Sequence, residues 1–291
     1  MEYTSKPALR DYMSMVKFAH TIFAMPFALT GFFLGFVNSN KPFSWNLLIL
    51  VVLCMVFARN AAMAFNRYID REIDSKNPRT ALREIPAGIV KPKSVLNFAM
   101  LNILFFITCT WFINPVTFYL SPVALVIVLG YSLTKKFTNL CHFILGIGLA
   151  LAPIGAYLAV TGTFGWLPIL YSLLVVFWVS GFDMLYALQD EDFDKKMNLR
   201  SLVVSLGKQG VLKLSAAVHA VSAGFIIIIG MAAGFGTYYW IGSIIFAGLL
   251  SYQHMIVKPG DLSRLNLAFF TLNGLASLIF AVFNITEILI R

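Results

Sequence analysis

The chain has 291 residues, of which 59% are hydrophobic and only 12% are charged, and its formal net charge is +9. A soluble domain has roughly 25% charged residues, and it could not hide this much apolar surface from water. The composition therefore argues against a soluble enzyme, a secreted disulfide scaffold and a disordered regulator, and it predicts an integral membrane protein.

The predicted elements begin with an N-terminal segment, residues 1–15, that lacks the basic patch and short apolar core of a cleavable signal. Five long apolar stretches follow, and a spanning helix needs only about 20 apolar residues. Four of the stretches are each broken once by a turn and the last is unbroken, so together they predict nine membrane helices. The stretches are 18–58, 94–134, 137–182, 214–257 and 265–288.

The basic residues test this count, because the cytoplasmic loops of membrane proteins collect lysine and arginine. With nine spans, 19 of the 22 basic residues lie at the N-terminus or in the loops after the even-numbered helices. This asymmetry predicts a cytoplasmic N-terminus. It also explains the positive charge, helped by anionic membrane lipid, without nucleic-acid binding, for which the sequence has no motif.

Acidic residues are rarer, and nine of the 13 fall in two windows that follow the second and the sixth predicted helices. In the first window Asn66, Asp70 and Asp74 recur every four residues. If the helix continues through the window, these three side chains lie along one of its faces. The first window therefore predicts an oxygen-rich stripe at a helix end.

The second window has a comparable arrangement, in which Asp190 and Asp194 follow Asp183 by 7 and 11 residues. On a continuous helix these spacings place Asp190 and Asp194 each within about 20° of Asp183, so the three carboxylates share one face. Both windows open on the same, cytoplasmic side of the predicted topology. Acids this close to a bilayer are costly without a function, so the two stripes predict one shared site.

Carboxylate and amide oxygens suit a hard cation such as Mg²⁺, which takes one or two protein carboxylates and completes its shell with water and phosphate oxygens. Basic residues surround both stripes; arginine binds phosphate bidentately, whereas lysine supplies a point charge. This mixture is more typical of a metal-bridged phosphate than of a cation channel. The basic candidates are Arg67, Arg71, Arg79, Arg83, Lys135 and Lys136.

At this point the motifs resemble those of a known family, the UbiA superfamily of membrane prenyltransferases. Residues 66–74, together with the segment 78–88, resemble its first acidic signature, and residues 183–194 resemble its second. The stretch 131–136, Tyr-Ser-Leu-Thr-Lys-Lys, resembles its Tyr-xxx-Lys-Arg element, with lysine in the last position. The resemblance extends over nearly the whole chain.

The resemblance implies an all-α integral membrane protein in which nine transmembrane helices surround a central cavity that opens sideways to lipid. The chain would form one prenyltransferase domain, residues 1–291, with acidic motif loops at 66–94 and 183–210. In a bacterium it would lie in the inner (cytoplasmic) membrane, with its active site toward the cytoplasmic face.

The resemblance also implies a reaction, the Mg²⁺-dependent transfer of a polyprenyl group from a polyprenyl diphosphate to an aromatic acceptor. The expected acceptor is 4-hydroxybenzoate, in ubiquinone or menaquinone biosynthesis. The implied ligands of two Mg²⁺ ions are Asn66, Asp70, Asp74, Asp190 and Asp194. The implied catalytic residues are Asp70, Asp190, Asp183 and Tyr131. The implied substrate-binding residues are Lys135, Arg67, Arg71, Arg79, Arg83, Lys136 and Tyr186.

Two alternatives stay open on the sequence. The segment 84–88, Glu-Ile-Pro-Ala-Gly, differs from the Arg-Pro-Leu-Pro-Ser-Gly usual in the 4-hydroxybenzoate branch, so a naphthoate-type acceptor in the futalosine route to menaquinone is the first. The second is a membrane transporter that uses the acids as an ion path, although acids at one membrane face fit chemistry on an amphiphile better. The four histidines occupy unrelated positions in apolar segments and are assigned no role.

Overall fold

The computed structural model describes residues 8–17, 23–39, 41–134 and 136–291, and within these ranges the chain forms helices and no strand. A 3₁₀ turn (Leu188–Asp190) joins α7 to α8, and a π-helix (Leu267–Leu272) leads into α11. The α-helices are α1 (Leu9–Met15), α2 (Met25–Ser39), α3 (Trp45–Lys76), α4 (Pro92–Ile113), α5 (Pro115–Thr134), α6 (Cys141–Thr161), α7 (Trp166–Ala187), α8 (Glu191–Lys196), α9 (Leu202–Ala233), α10 (Thr237–Ile256) and α11 (Asn273–Ile290).

The long helices match the predicted spans. Each of the nine predicted spans overlaps one of the helices α2–α7 and α9–α11, although residues 18–22 of the first span lie outside the described residues. Seven helical stretches are long and apolar enough to cross a membrane, whereas α2 is apolar but has only 15 residues. The all-helical, multi-pass architecture is therefore confirmed, while nine crossings and a cytoplasmic N-terminus stay predictions. The seven stretches are 45–76, 92–113, 115–134, 141–161, 166–196, 202–233 and 267–290.

The outer surface of the bundle suits lipid. Large apolar side chains face outward along the helices, with Val126 and Ile244 exposed to 72% and 71%. Exposed aromatic side chains also lie at the helix ends farthest from the acidic windows. Such aromatic residues are typical of a membrane–water interface, so they mark the face opposite the predicted site. They are Trp45, Trp111, Tyr119 and Trp166.

Close helix packing in the centre of the bundle depends on glycine. A Cβ atom on Gly31 of α2 would collide with the backbone of Pro153 in α6, and one on Gly146 of α6 would lie 2.6 Å from the carbonyl oxygen of Val176 in α7. Small residues allow membrane helices to approach backbone to backbone. We refer to this contact of α2, α6 and α7 as the glycine seam, and α3, α4 and α5 pack beside it.

A buried carboxylate connects α10 and α11 at the end of the bundle farthest from the acidic windows. Glu287 near the end of α11 is 5% exposed and accepts hydrogen bonds from the backbone N–H of Gly236 at 2.7 Å and of Tyr239 at 3.4 Å. These donors are at the N-terminus of α10, where the first N–H groups have no helical partner and the helix dipole favours negative charge. Glu287 therefore caps α10 from another helix.

We expect the Glu287→Gln substitution to lower the free energy of unfolding by about 1 to 2 kcal/mol, because it removes a charge-assisted cap at a buried helix N-terminus. Thermal unfolding of the detergent-purified protein measures this effect. The matched control is Glu72→Gln, since the Glu72 side chain is 80% exposed and its ion pair with Arg71, at 3.4 Å, lies on the surface. Equal Tm values for the two variants would contradict the role of the cap.

Candidate active site

The first acidic stripe lies on the end of α3. Because this helix continues to Lys76, Asn66, Asp70 and Asp74 lie along one of its faces, as the sequence predicts. The Asn66 amide donates to the Asp70 carboxylate at 3.0 Å, and both Asp70 and Asp74 are buried. The stripe is therefore held below the surface of the bundle rather than on a solvated loop.

The segment after α3 turns back over the stripe. The buried Thr80 hydroxyl donates to the carbonyl of Asp74 at 3.0 Å, which fixes the turn, and Gly88 occupies a left-handed backbone conformation with a φ of 74°. This path brings the Arg83 guanidinium onto Asp74, with its Nη1 2.7 and 2.8 Å from the two carboxylate oxygens. One arginine thus holds the last carboxylate of the first stripe.

The same segment joins the two acidic windows. Arg79 binds Asp190 bidentately, with Nε–Oδ1 and Nη2–Oδ2 distances of 2.9 and 2.6 Å, and the Asn77 amide donates to Oδ1 of Asp190 at 3.0 Å. Burial on its own opposes the charge of Arg79, but the hydrogen bonds to Asp190 raise its pKa above the ordinary value. The windows, more than 100 residues apart in sequence, therefore meet in one polar cap.

The second stripe differs from its predicted geometry. Asp183 lies in α7 and Asp194 in α8, but the residues between them tighten into the 3₁₀ turn Leu188–Asp190. A 3₁₀ turn has three residues per turn instead of 3.6, which shifts the phase by about 60° over three residues. The continuous helix that the prediction assumes from Asp183 to Asp194 is therefore wrong, while a shared face for the three carboxylates stays a prediction. The segments predicted as loops, 66–94 and 183–210, are likewise partly helical: the first contains the end of α3, and the second contains all of α8 and the start of α9.

Aromatic rings line one side of the cap. Tyr186 stacks on Phe269 with a centroid distance of 4.1 Å, and Phe270 meets the Tyr186 ring edge to face at 5.9 Å. The guanidinium of Arg79 lies 5.4 Å from the centre of the Tyr186 ring. Both phenylalanines belong to the π-helix, a feature that often occurs at functional sites. We call Tyr186, Phe269 and Phe270 the aromatic wall.

Below the cap, α3, α4, α5 and α6 enclose an apolar cavity of about 350 Å³. Thr117 and Tyr131 both line it, and these positions on α5 are separated by about 21 Å at 1.5 Å per residue. Arg59 lines the same cavity, and its Nε has no hydrogen-bond partner in the described part of the chain. Arg59 lies two helical turns before Asn66 on α3. Because its guanidinium is positively charged and lines an apolar cavity, it can bind the anionic group of a ligand.

The remaining predicted site residues fall into two groups. Tyr131 lies within electrostatic range of Asp70 and Asp183, and Arg67 is 5% exposed with an Nε that has no hydrogen-bond partner among the described residues. Arg71 instead contacts the Tyr68 carbonyl and the exposed Glu72. Lys136 is exposed beside the end of α5, and Lys135 is outside the described residues.

Three residues of this region lie outside the site that the acidic motifs predict. They are Arg59, Lys17 and His142. In the structure His142 Nδ1 lies 2.7 Å from Oδ2 of Asp183. The signal for Arg59 was available, since a charge in the middle of a membrane helix is expensive.

Lys17 follows the short helix α1, whose end is anchored by the fully buried Met15. Lys17 is exposed at its surface, but partial desolvation lowers the pKa of its ammonium group below the usual range, and the guanidinium groups of Arg67 and Arg83 lower it further. Its backbone is left-handed, with a φ of 46°, which is unusual for a residue with a Cβ. A strained lysine beside two arginines adds to the positive charge of the cap.

The donor set of the cap fits Mg²⁺ bound together with a phosphate ligand. No group of three or more histidine, cysteine or acidic side chains surrounds a common point in the residues that the structure covers. Mg²⁺ needs only one or two carboxylates when phosphate and water complete its shell. Asp74 and Asp190, each held by an arginine in this structure, could exchange that arginine for a cation while the arginines turn to phosphate oxygens.

Comparison with known families gives a match over most of the chain. Residues 24–275 match the model of the UbiA prenyltransferase family. Among curated proteins, the 4-hydroxybenzoate octaprenyltransferase of Aliivibrio fischeri (strain MJ11) is 31% identical over 244 residues, which cover 81% of this chain and 82% of the relative. The enzyme of that name from Burkholderia multivorans is 31% identical over 240 residues, with the same shares covered.

Solved structures resemble the fold as well. A UbiA homologue from Aeropyrum pernix K1, solved without ligand, has a TM-score of 0.83 and 30% identity, covering 92% of this chain and 98% of that one. A UbiA homologue from Archaeoglobus fulgidus, solved with DMAPP and Mg²⁺, has a TM-score of 0.69 and 19% identity, covering 97% and 100%. At that identity the second likeness is one of fold.

Proposed function

The chain belongs to the UbiA prenyltransferase family and is an aromatic prenyltransferase, and we propose that it transfers a polyprenyl group from a polyprenyl diphosphate to 4-hydroxybenzoate with the help of Mg²⁺. The observation that carries the proposal is the polar cap, which lies over an apolar cavity lined by the guanidinium of Arg59. The cap is charged for the diphosphate, the cavity is apolar like the prenyl tail, and Arg59 can pair with the carboxylate of 4-hydroxybenzoate.

The diphosphate would lie in the cap. Arg79 and Arg83, released from Asp190 and Asp74, would bind its oxygens, with Arg67 beneath them. Asn66, Asp70, Asp74, Asp190 and Asp194 are the oxygen donors proposed to hold Mg²⁺, which when bound would neutralise charge on the leaving diphosphate. These groups stabilise negative charge that grows as the allylic carbon–oxygen bond breaks, in a site that excludes most water.

The acceptor would lie between the cap and the cavity. A carboxylate bound to Arg59 would point the phenol ring toward the cap, past Tyr131. The aromatic wall would face the allylic carbon, because aromatic ring faces attract cations. Attack by a ring carbon next to the hydroxyl group forms the new carbon–carbon bond, and Asp183 is our candidate for taking up the proton that this carbon must lose.

Membranes that contain the protein, incubated with 4-hydroxybenzoate, a polyprenyl diphosphate and Mg²⁺, should form the prenylated acid, as measured by mass spectrometry. Chelating the divalent metal should stop the reaction, and adding Mg²⁺ should restore it. A naphthoate acceptor in a parallel incubation distinguishes the menaquinone-type reaction. Absence of product with every aromatic acceptor, or uptake of labelled substrate into vesicles without chemical change, would overturn the proposal.

We propose a single domain, residues 1–291, with nine crossings and the cap on the cytoplasmic side, which in a bacterium is the cytoplasmic side of the inner membrane. The exposed aromatic residues at the other helix ends support a membrane that spans the distance between them and the cap. Labelling of a cysteine placed at the exposed position 192, only from the cytoplasmic side, would test the orientation.

Lys17 offers a test of the diphosphate site. We expect Lys17→Ala to raise the KM for the prenyl diphosphate by roughly tenfold, because it removes one charge-assisted contact to phosphate, and to leave the KM for the acceptor unchanged. Lys17→Arg, which keeps the charge, should recover most of the affinity. Steady-state kinetics with each substrate varied separately measure both constants, and an unchanged KM for the diphosphate would remove Lys17 from the site.

A further inference from the structure

We propose that His142 is a positioning residue for Asp183. In this pair, which we call the relay, Asp183 accepts the ring proton released during prenyl transfer and His142 orients the Asp183 carboxylate. The inference rests on the proposed function and adds a residue that the acidic motifs do not contain. His142 lies in the first turn of α6, and Asp183 lies near the end of α7, so the pair joins two helices of the glycine seam at the edge of the cap.

The geometry of the pair is that of a strong hydrogen bond. His142 Nδ1 lies 2.7 Å from Oδ2 of Asp183, and the histidine side chain is 5% exposed whereas the aspartate side chain is 23% exposed. The imidazole is thus behind the carboxylate, and the carboxylate keeps access to the site. This is the order that a relay requires, because a second group that orients a carboxylate also fixes which of its oxygens faces the substrate.

The second ring nitrogen shows that packing does not account for His142. Its Nε2 is buried and has no hydrogen-bond partner among the residues that the structure describes. Buried polar atoms are normally paired, and an unpaired one is costly. By contrast, both ring nitrogens of His219 have partners, His254 and the Trp178 carbonyl. His142 therefore keeps a costly arrangement, in which Nδ1 pairs with the Asp183 carboxylate and Nε2 has no hydrogen-bond partner among the described residues.

The relay closes the proton balance of the reaction. The allylic carbon–oxygen bond breaks with its electron pair on the diphosphate, and a π pair of the acceptor ring forms the new carbon–carbon bond. The ring carbon then carries both the prenyl group and a hydrogen. Its carbon–hydrogen pair returns to the ring, and the proton goes to the oxygen of Asp183 that His142 leaves free. The hydrogen bond from His142 stabilises the carboxylate in the orientation that accepts it.

Two sets of variants separate this role from a structural one. His142→Ala and His142→Gln remove the donor at the Nδ1 position, whereas His142→Asn places an amide nitrogen close to that position and should keep the contact. We expect the first two to lower kcat by roughly tenfold, the size of one hydrogen bond to a charged group, with the KM for the prenyl diphosphate unchanged. His142→Asn should retain most of the activity. His254→Asn is the matched control, since it breaks a histidine pair away from Asp183.

The deciding measurement compares 4-hydroxybenzoate with the same acid deuterated at both ring positions next to the hydroxyl group. If His142 assists proton removal, His142→Gln should show a larger primary isotope effect than the wild type, and His142→Asn and His254→Asn should match the wild type. A wild-type isotope effect in His142→Gln would overturn the relay and leave the proposed function intact. Absence of turnover by the wild type would overturn the function and this inference with it.

Discussion

Replacing Asp70 or Asp190 with asparagine is expected to reduce prenyl transfer by at least about 1,000-fold, or about 4 kcal/mol of transition-state stabilisation. Each substitution keeps the side-chain shape but removes a negative charge from the cap. At Asp190 the amide can accept at most one of the two hydrogen bonds that Arg79 now donates. We expect the folded protein to persist, because the helices that carry these residues are buried against their neighbours by apolar side chains.

The measurement is the rate of product formation at saturating concentrations of both substrates, followed over a range of Mg²⁺ concentrations. Glu72→Gln and Asp192→Asn are the controls, since they remove exposed acids from the same two windows. If the asparagine variants keep more than a tenth of the wild-type rate, the two carboxylates do not belong to the catalytic site.

Arg59→Met is expected to reduce kcat/KM for 4-hydroxybenzoate by roughly 100-fold, since a buried charge-assisted pair with the carboxylate is lost. The protein should at the same time become no less stable. Replacing a guanidinium that has an unpartnered buried Nε with an apolar side chain removes an uncompensated desolvation cost. Lost activity at unchanged or higher Tm is the signature of a residue kept for its ligand.

The specific readout is the discrimination between 4-hydroxybenzoate and its methyl ester. The wild type should prefer the acid strongly, and Arg59→Met should lose this preference because the ester has no charge to pair. Arg264→Met, an exposed arginine on the loop before the π-helix, controls for the loss of a positive charge. A preference that survives in Arg59→Met would place the acceptor carboxylate elsewhere.

The sequence was informative wherever periodicity decides the structure. The four-residue spacing of Asn66, Asp70 and Asp74 predicts their common face, because α3 continues without a break through the window. The same reasoning fails beyond Asp183, since periodicity does not show where a helix tightens into a 3₁₀ turn. The break positions of the apolar stretches, by contrast, predict the long helices closely.

The spacing of residues along the sequence does not predict which side chains contact one another between helices. Nothing in the spacing shows that Arg79 binds Asp190 while Arg83 binds Asp74, because this depends on how the segment after α3 turns at Thr80. The same holds for His142, whose partner is 41 residues away on the next helix. Such pairs follow from the packing of α6 on α7, and packing is a property of the whole fold.

The glycine seam has a consequence for substrates of different lengths. Where Gly31 and Gly146 meet backbone atoms, no side chain can rotate to make room, so α2, α6 and α7 can separate only as whole helices. The other walls of the cavity, on α3, α4 and α5, are built from side chains such as Met55, Phe106 and Leu120 that have alternative rotamers. The cavity thus has one stiff wall and three compliant ones, so a bulkier tail is expected to be accommodated by movement toward the lipid-facing helices while the polar cap keeps its shape.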